Sequence, residues 1–287
     1  MSAIFKRELR SFYLNMIGYL FTALLLFVLG VGCILFNLNL NYAEFEMSFS
    51  IASYAMLVLV PLITMRTFSE ERASRTDQLL YSLPLRNRDV VLGKFFALWT
   101  ALLIPIAISA LYPLILTLYG RPALGLTYLV FLAFLLFGGA LLSVGMFISA
   151  VTDSPLISAI ISILAMAVIW LLDMAASVLP TSALISYICF AILGLIVAAV
   201  MWLLTKNLHI GLLSAVVILV PLSLVYFLKA SLFRGLFPAF LSSMSLFSRF
   251  TKFLNGYYDL TALVCFISVI IFFNFLTIQA VEKRRWN

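Results

Sequence analysis

Few residues in this chain have the side chains needed for acid–base, nucleophilic or metal chemistry. The single histidine, His209, has no acid or cysteine beside it, whereas metal sites and acid–base sites need several convergent groups. Cys33, Cys189 and Cys265 all lie inside apolar runs, which favours small hydrophobic residues over a disulfide framework or a metal site. Gly93-Lys94 lacks the earlier glycine of a phosphate-binding loop. We therefore predict no catalytic residue, no metal site and no ATP hydrolysis by this chain.

One acidic residue, Asp173, lies well inside an apolar run. Ionisable residues within membrane helices often mark substrate or ion pathways. Asp153 and Asp259 instead precede apolar runs, where a carboxylate favours the helix dipole. Asp173 is therefore either a polar point on a substrate path or a boundary carboxylate bonded to a neighbouring helix.

The composition shows what kind of fold must position these residues. The chain has 287 residues, of which 65% are hydrophobic and 10% charged, against about 25% charged in soluble domains. The apolar runs are continuous, about 20 residues long and not alternating, which favours helices over a barrel. The net charge is +7, but the basic residues flank the apolar runs, as the positive-inside rule predicts, and this argues against nucleic-acid binding. We predict an all-α polytopic membrane protein with a single transmembrane domain over residues 1–287.

The apolar runs predict about eight transmembrane helices, with six as the alternative. The predicted spans are 17–38, 49–67, 93–119, 126–151, 155–179, 184–205, 210–228 and 260–281. The fourth span carries Gly138, Gly139 and Gly145, and small residues at such spacing predict close approach of another helix.

Two further segments have amphipathic patterns. In residues 1–13, an apolar side that includes Ile4 and Leu9 lies opposite Lys6 and Arg7, which predicts a helix in the headgroup region or, more simply, a charged flank that fixes orientation. Residues 229–258 contain apolar side chains at three-residue steps, which predict an extracytoplasmic interfacial helix. These are Leu241, Met244, Phe247, Phe250 and Phe253.

The distribution of Lys and Arg predicts that both termini are cytoplasmic. With eight spans, most basic residues fall on the side of the N-terminus, including those of the loop at 68–92. The exceptions are Arg121, Lys229, Arg234, Arg249 and Lys252.

The cytoplasmic loop at 68–92 contains the pattern of a short helix. Thr76 can cap a helix that begins at Asp77, and Pro84 ends it. Three leucines share one face of that helix. They are Leu79, Leu80 and Leu83. Held between two spans, this helix could dock a soluble partner; the alternative is a solvated loop that only satisfies the positive-inside rule.

The same loop resembles the one between the second and third spans of ABC-2 type permeases. The matching pattern is an acidic–basic start at Glu70-Glu71-Arg72, then a Thr, an acid and paired leucines at 76–80, a proline at position 84, and Gly93-Lys94 opening the third span. Arg75 stands where the family usually has glycine. The C-terminal residues 247–260 and 282–286 resemble the gliding-motility branch of this family.

The resemblance implies a permease subunit, usually of an exporter, that binds no cofactor itself. ATP and Mg²⁺ would bind to a separate cytoplasmic ABC ATPase, reached through Glu70, Glu71, Thr76 and the helix at 77–83 that Pro84 ends. A second permease copy or a paralogue, membrane lipids and an extracytoplasmic accessory protein are the other implied partners, in a bacterial cytoplasmic membrane. An ion-coupled secondary transporter that uses Asp173, and a non-transporting membrane scaffold, are the alternatives.

Overall fold

The protein, represented by a computed structural model, is helical throughout the part that the structure describes. The described residues are 1–40, 42, 44–76, 86–118, 120, 122–206 and 208–286, and none of them forms a strand. The helices are α1 (Ser2–Leu14), α2 (Ile17–Cys33, continued by a π-helical turn at Ile34–Asn39), α3 (Glu46–Thr64), α4 (Ser69–Ala73), α5 (Asn87–Ser109), α6 (Leu111–Leu116), α7 (Leu124–Val151), α8 (Pro155–Val178), α9 (Ala183–Thr205), α10 (Leu208–Leu228), α11 (Leu236–Met244), α12 (Leu246–Leu254) and α13 (Leu260–Trp286). A 3₁₀ turn at Ala230–Phe233 precedes α11.

Six helical segments of the described chain are long and apolar enough to cross a membrane. They are Ile17–Asn39, Glu46–Ala73, Asn87–Leu116, Leu124–Val151, Pro155–Val178 and Leu260–Arg284. Leu212–Leu228 and Ala230–Met244 add a seventh only if this pair, bent by 112°, counts as one span. Ala183–Ala199 is a shorter apolar helix. The polytopic all-α fold is thus confirmed, with six or seven strongly apolar helices where the sequence predicted about eight or, alternatively, six.

The chain divides into two compact units. The first contains residues 1–168 and 249–287, and the second contains residues 169–248. The predicted cytoplasmic loop begins and ends within the first unit.

The core of the first unit is built around α7, which packs against α3, α5 and α13. Gly145 of α7 faces Thr64 of α3 so closely that a Cβ at this position would overlap the threonine side chain. The predicted role of the small residues in this helix is therefore confirmed, since a backbone without side chains permits close helix contact.

Helices α7 and α13 run in the same direction along each other. The rings of Phe137 and Phe266 lie 5.9 Å apart, and further along both helices those of Phe147 and Phe273 lie 5.8 Å apart. The beginning of α13 therefore lies at the end of this unit opposite to the C-terminal end of α7.

In the second unit α9 and α10 form an antiparallel hairpin. Tyr187 stacks on Tyr226 with ring centroids 4.6 Å apart, while Gly194 lies against Ile218. Both predicted helices in residues 184–228 are present.

Of the two segments with amphipathic patterns, one forms the predicted helix and the other does not. Helix α1 is present, with Ile4 buried. Residues 229–258, predicted as one helix, instead form a 3₁₀ turn, α11 and α12. The break falls at Ser245, whose backbone is extended and whose Oγ accepts the N–H of Ser248. A hydroxyl that accepts this N–H begins a new helix, and the three-residue apolar pattern continues across the break.

Candidate functional site

The candidate site is the root of the cytoplasmic loop, which we define as residues 65–76 and 86–94. Of the residues predicted to contact a partner, Glu70, Glu71 and Thr76 belong to the root. The remaining ones lie outside the described residues: Asp77, Leu79, Leu80, Leu83 and Pro84. The structure therefore describes the root, and the leucine-faced helix stays a prediction.

Lys94 is the centre of the root. Its side chain is only 1% exposed, and its Nζ lies 2.9 Å from Oε1 of Glu71 and 3.5 Å from Oε1 of Glu8. The same Nζ donates a hydrogen bond to the carbonyl of Thr67 at 2.7 Å and lies 4.9 Å from the ring centroid of Phe68. Burying an ammonium is costly unless it is paired and hydrogen-bonded, and Lys94 has both kinds of partner. This cluster joins α1, α4 and α5.

Arg7 extends the cluster from α1. Its guanidinium lies 2.6 Å from Glu8 and 3.2 Å from Glu71. Burial acts to lower the pKa of Arg7, but the hydrogen bond to Glu8 and the charges of Glu8 and Glu71 outweigh it, so the pKa is raised. The two carboxylates thus lie between the basic side chains of Arg7 and Lys94.

Gly93, next to Lys94, allows α1 to approach α5. A Cβ at position 93 would lie 3.0 Å from Cγ2 of Ile4, closer than real side chains normally pack. The Gly-Lys pair of the sequence pattern therefore has a structural explanation: the glycine admits the N-terminal helix, and the lysine pairs with a carboxylate of that helix.

Ser149, near the end of α7, binds the chain where it leaves α3. Its Oγ accepts the backbone N–H of Phe68 at 3.0 Å and that of Ser69 at 3.2 Å, and it donates to the carbonyl of Met65 at 3.2 Å. Ser149 is fully buried. The root is therefore fixed to the core helix through the carbonyl at the end of α3 and the N–H groups at the start of α4, which helix termini leave unpaired.

A second polar link joins α4 to the ends of α7 and α13. Arg72 donates to the carbonyl of Thr152 at 2.9 Å, and its guanidinium lies 4.0 Å from Asp153. Asp153 also accepts a hydrogen bond from Arg284, which in turn donates to the carbonyl of Val151 at 3.1 Å. The hydrogen bond from Arg284 is the main cause that lowers the pKa of Asp153. Asp153 therefore stays ionised and bridges two arginines.

Helix α4 ends in a Schellman motif, and Arg75 occupies the position of this motif where glycine is most often found. The N–H of Thr76 bonds the carbonyl of Glu71 at 2.8 Å, and the N–H of Arg75 bonds that of Arg72 at 2.9 Å. Arg75 has φ 57°, the left-handed conformation that this motif requires and that glycine adopts without strain. The departure at Arg75 thus affects the end of α4. The hydroxyl of Thr76 also bonds the Glu71 carbonyl, at 3.2 Å, while its predicted cap to a following helix lies outside the described residues.

The three described site residues converge on one polar cavity of about 330 Å³. Basic side chains and carboxylates both line it, so it matches a polar protein surface better than an apolar ligand. Its charged lining residues are Arg7, Glu8, Arg66, Glu70, Glu71 and Lys94, and Thr76 and Ser74 lie beside them.

Asp173 lies in the second unit, away from the root in sequence. It is half-buried and accepts a hydrogen bond from the side chain of Ser245. Its place on a substrate path stays a prediction. Within the described part of the chain, no group of three His, Cys, Asp or Glu side chains could hold a metal ion.

The sequence interpretation missed Glu46, the carboxylate at the start of α3. Its side chain is 1% exposed, and Oε1 accepts a hydrogen bond from Thr127 at 2.6 Å. Sequence placed this residue in a polar connection. The position of an acidic residue just before an apolar run was the sequence feature that could have identified it as part of the first turn of a helix.

The comparison with protein families identifies the chain. A model of the ABC-2 family transporter proteins matches residues 9–209, more than half of the sequence. The chain belongs to the ABC-2 transporter family. The resemblance inferred from the loop is therefore confirmed at the level of the family, and no curated protein and no solved structure matches significantly.

Membership in the ABC-2 family makes this chain a multi-pass permease of an ABC transporter. Such a permease implies partnership with a cytoplasmic ABC ATPase. The matched range includes the whole loop root, and it also includes Ser149 of α7.

Proposed function

We propose that this ABC-2 permease forms the translocation path of an exporter and is driven through its loop root by a separate cytoplasmic ATPase. The ATPase binds the leucine face at 79–83, with Glu70, Glu71 and Thr76 at the edge of the contact. ATP and Mg²⁺ are bound by the ATPase and not by this chain. A second copy or a paralogue completes the transporter.

The buried cluster at Lys94 is the main support for this proposal. It joins the first helix, the start of the loop and the third helical span, because Glu8, Glu71 and Lys94 belong to three different elements. Ser149 and Arg72 connect the same root to α7. A displacement of the loop therefore moves packed helices instead of being absorbed in a flexible tether. Coupling of two sites requires such a shared element.

The orientation follows from the positive-inside rule. Arg7, Arg66 and Arg72 lie at the root, at the same end of the first unit as Arg284. We assign this end to the cytoplasm, which puts both termini there, in a bacterial cytoplasmic membrane. The beginning of α13, with Asp259, lies at the opposite end. Assignment to the gliding-motility branch rests on residues 247–260 and 282–286, which lie beyond the family match.

The test is a substitution on the leucine face. Leu80→Asp, or Leu79→Ser together with Leu83→Ser, removes the apolar contact and should release the ATPase while the permease stays inserted. Gln78→Asp introduces the same charge on the opposite side of the predicted helix and is the matched control. Binding is measured by capture of the ATPase from the neighbouring reading frame, and function by the ATPase turnover of the complex in proteoliposomes.

Two results would contradict the proposal. Unchanged capture and turnover in the leucine variants would remove the docking role. Solute movement driven by an ion gradient without ATP, and lost in Asp173→Asn, would instead support a secondary transporter.

A further inference from the structure

A groove lies between α5 and α13 in the first unit, on the side of the loop root. Its volume is about 480 Å³, within the range of about 300–1,000 Å³ typical of small-molecule sites. Most of its wall is hydrocarbon, contributed by leucine, isoleucine and phenylalanine side chains of both helices. Asn274, which also lines it, is buried and donates Nδ2 to the carbonyl of Ile270 in its own helix.

The groove ends in charged and polar side chains. Arg88 lies in the first turn of α5, and Glu282 and Gln279 lie in the last turns of α13. All three are exposed. Arg88 and Glu282 line the same groove with opposite charges, yet neither forms an ion pair among the described residues. Two opposite charges at the mouth of an apolar groove, neither of them in an ion pair with another described residue, leave a site for a dipolar group between them.

We propose that this groove binds one membrane phospholipid whose headgroup carries both a phosphate and a primary ammonium. Arg88 binds the phosphate as a charge-assisted hydrogen-bond donor, and Glu282 accepts from the ammonium. One acyl chain lies along the apolar wall, against Leu92, Phe96 and Ile271. The charges lie at the ends of their helical spans, and headgroups occupy this depth of a bilayer.

The charge arrangement favours this lipid over the other classes in a membrane. An anionic phospholipid without an amine would pair with Arg88 but bring its negative charge beside Glu282. A quaternary ammonium has no N–H, so it would lose the hydrogen bond to the carboxylate. The groove should therefore prefer phosphatidylethanolamine to phosphatidylglycerol and to phosphatidylcholine.

The experiment compares lipid retention by the full-length chain. The purified protein is equilibrated with equal amounts of the three lipids in detergent, and bound lipid is measured by native mass spectrometry. Loss of one charge-assisted hydrogen bond should weaken binding by about tenfold. Arg88→Gln should therefore weaken retention of phosphatidylethanolamine and phosphatidylglycerol together, whereas Glu282→Gln should abolish the preference between them.

Matched controls are available in the same helical ends. Lys283→Gln and Arg86→Gln each remove an exposed cation that does not line the groove. Both should retain the wild-type preference. Equal retention of the three lipids by the wild type, or equal loss in the control variants, would overturn the proposal. So would a shift of Arg88→Gln from dimer to monomer in the same spectra without a change in lipid, because a second copy would then occupy the groove.

Discussion

Replacing Lys94 by Met should destabilise the permease by about 3 kcal/mol, at the lower end of the 3–5 kcal/mol that removal of one partner costs in a buried ion pair. The Lys94 side chain is 1% exposed, so its pairing takes place away from water. Glu71 and Glu8 are 23% and 13% exposed, and Arg7 stays beside both. Partial exposure and the neighbouring Arg7 both lower the free-energy cost of leaving the two carboxylates without Lys94. The expected destabilisation is therefore at the lower end of the range.

The assay is the free energy of unfolding in mixed micelles, measured by titration with a denaturing detergent. Adding Glu71→Gln to Lys94→Met should recover about 1–2 kcal/mol, since the double substitution removes the uncompensated charge, and coupling of contacting residues falls in the range of about 0.5–3 kcal/mol. Lys283→Met, the same change at an exposed lysine, is the control and should alter stability by less than about 0.5 kcal/mol. A Lys94→Met effect as small as the control, or strictly additive substitutions, would refute the argument for a structural cluster.

Three more predictions concern the surroundings of the root. Ser149→Ala should cost about 1–3 kcal/mol because it leaves two buried N–H groups unpaired, whereas Ser143→Ala, at a buried serine bonded only within its own helix, should cost less in the same titration. Arg75→Gly should stabilise the end of α4 by up to about 1 kcal/mol and slow limited proteolysis of the loop. Arg75→Val should destabilise the end of α4 and make this proteolysis faster. The hydrogen bond from Arg284 is the main cause that lowers the pKa of Asp153 in the folded protein. The ionised carboxylate therefore stabilises the fold at pH values above the pKa of the unfolded residue, which is about 3.9. This contribution is lost as the pH falls through the lower pKa of the folded protein. The difference in thermal midpoint between wild type and Asp153→Asn should therefore shrink between pH 7 and pH 3; a constant difference would contradict the link.

The helices could be predicted from the sequence because apolar runs of membrane length leave the backbone no alternative. The predicted second to fifth spans, for example, lie near the observed α3, α5, α7 and α8. The structure of residues 184–244 is less predictable from the sequence. Their apolar stretches predict spans by composition, but the 112° bend before Ala230 and the break at Ser245 depend on local backbone geometry that periodicity does not encode.

The site was predictable in part. The pattern around Glu70, Glu71 and Thr76 identified the loop, and the family match confirmed what kind of protein contains it. The pairing of Lys94 with Glu8 joins residues far apart in the sequence, and no local pattern predicts such a contact. The buried Glu46 was missed for the same reason, since its partner Thr127 lies 81 residues away.

In the proposed mechanism, the loop root transmits the action of the ATPase to the helices. Trp99 offers a reporter, because it lies on α5 close to Lys94 and donates Nε1 to the carbonyl of Leu135 on α7. The measurement is the ATP-dependent fluorescence change of the reconstituted complex in which the other three tryptophans are replaced by Phe. We predict a change in the complex with the native root, none in Leu80→Asp, which does not bind the ATPase, and a reduced one in Lys94→Met, which still binds it. A Lys94→Met complex that captures the ATPase and responds as fully as the native root would contradict the claim.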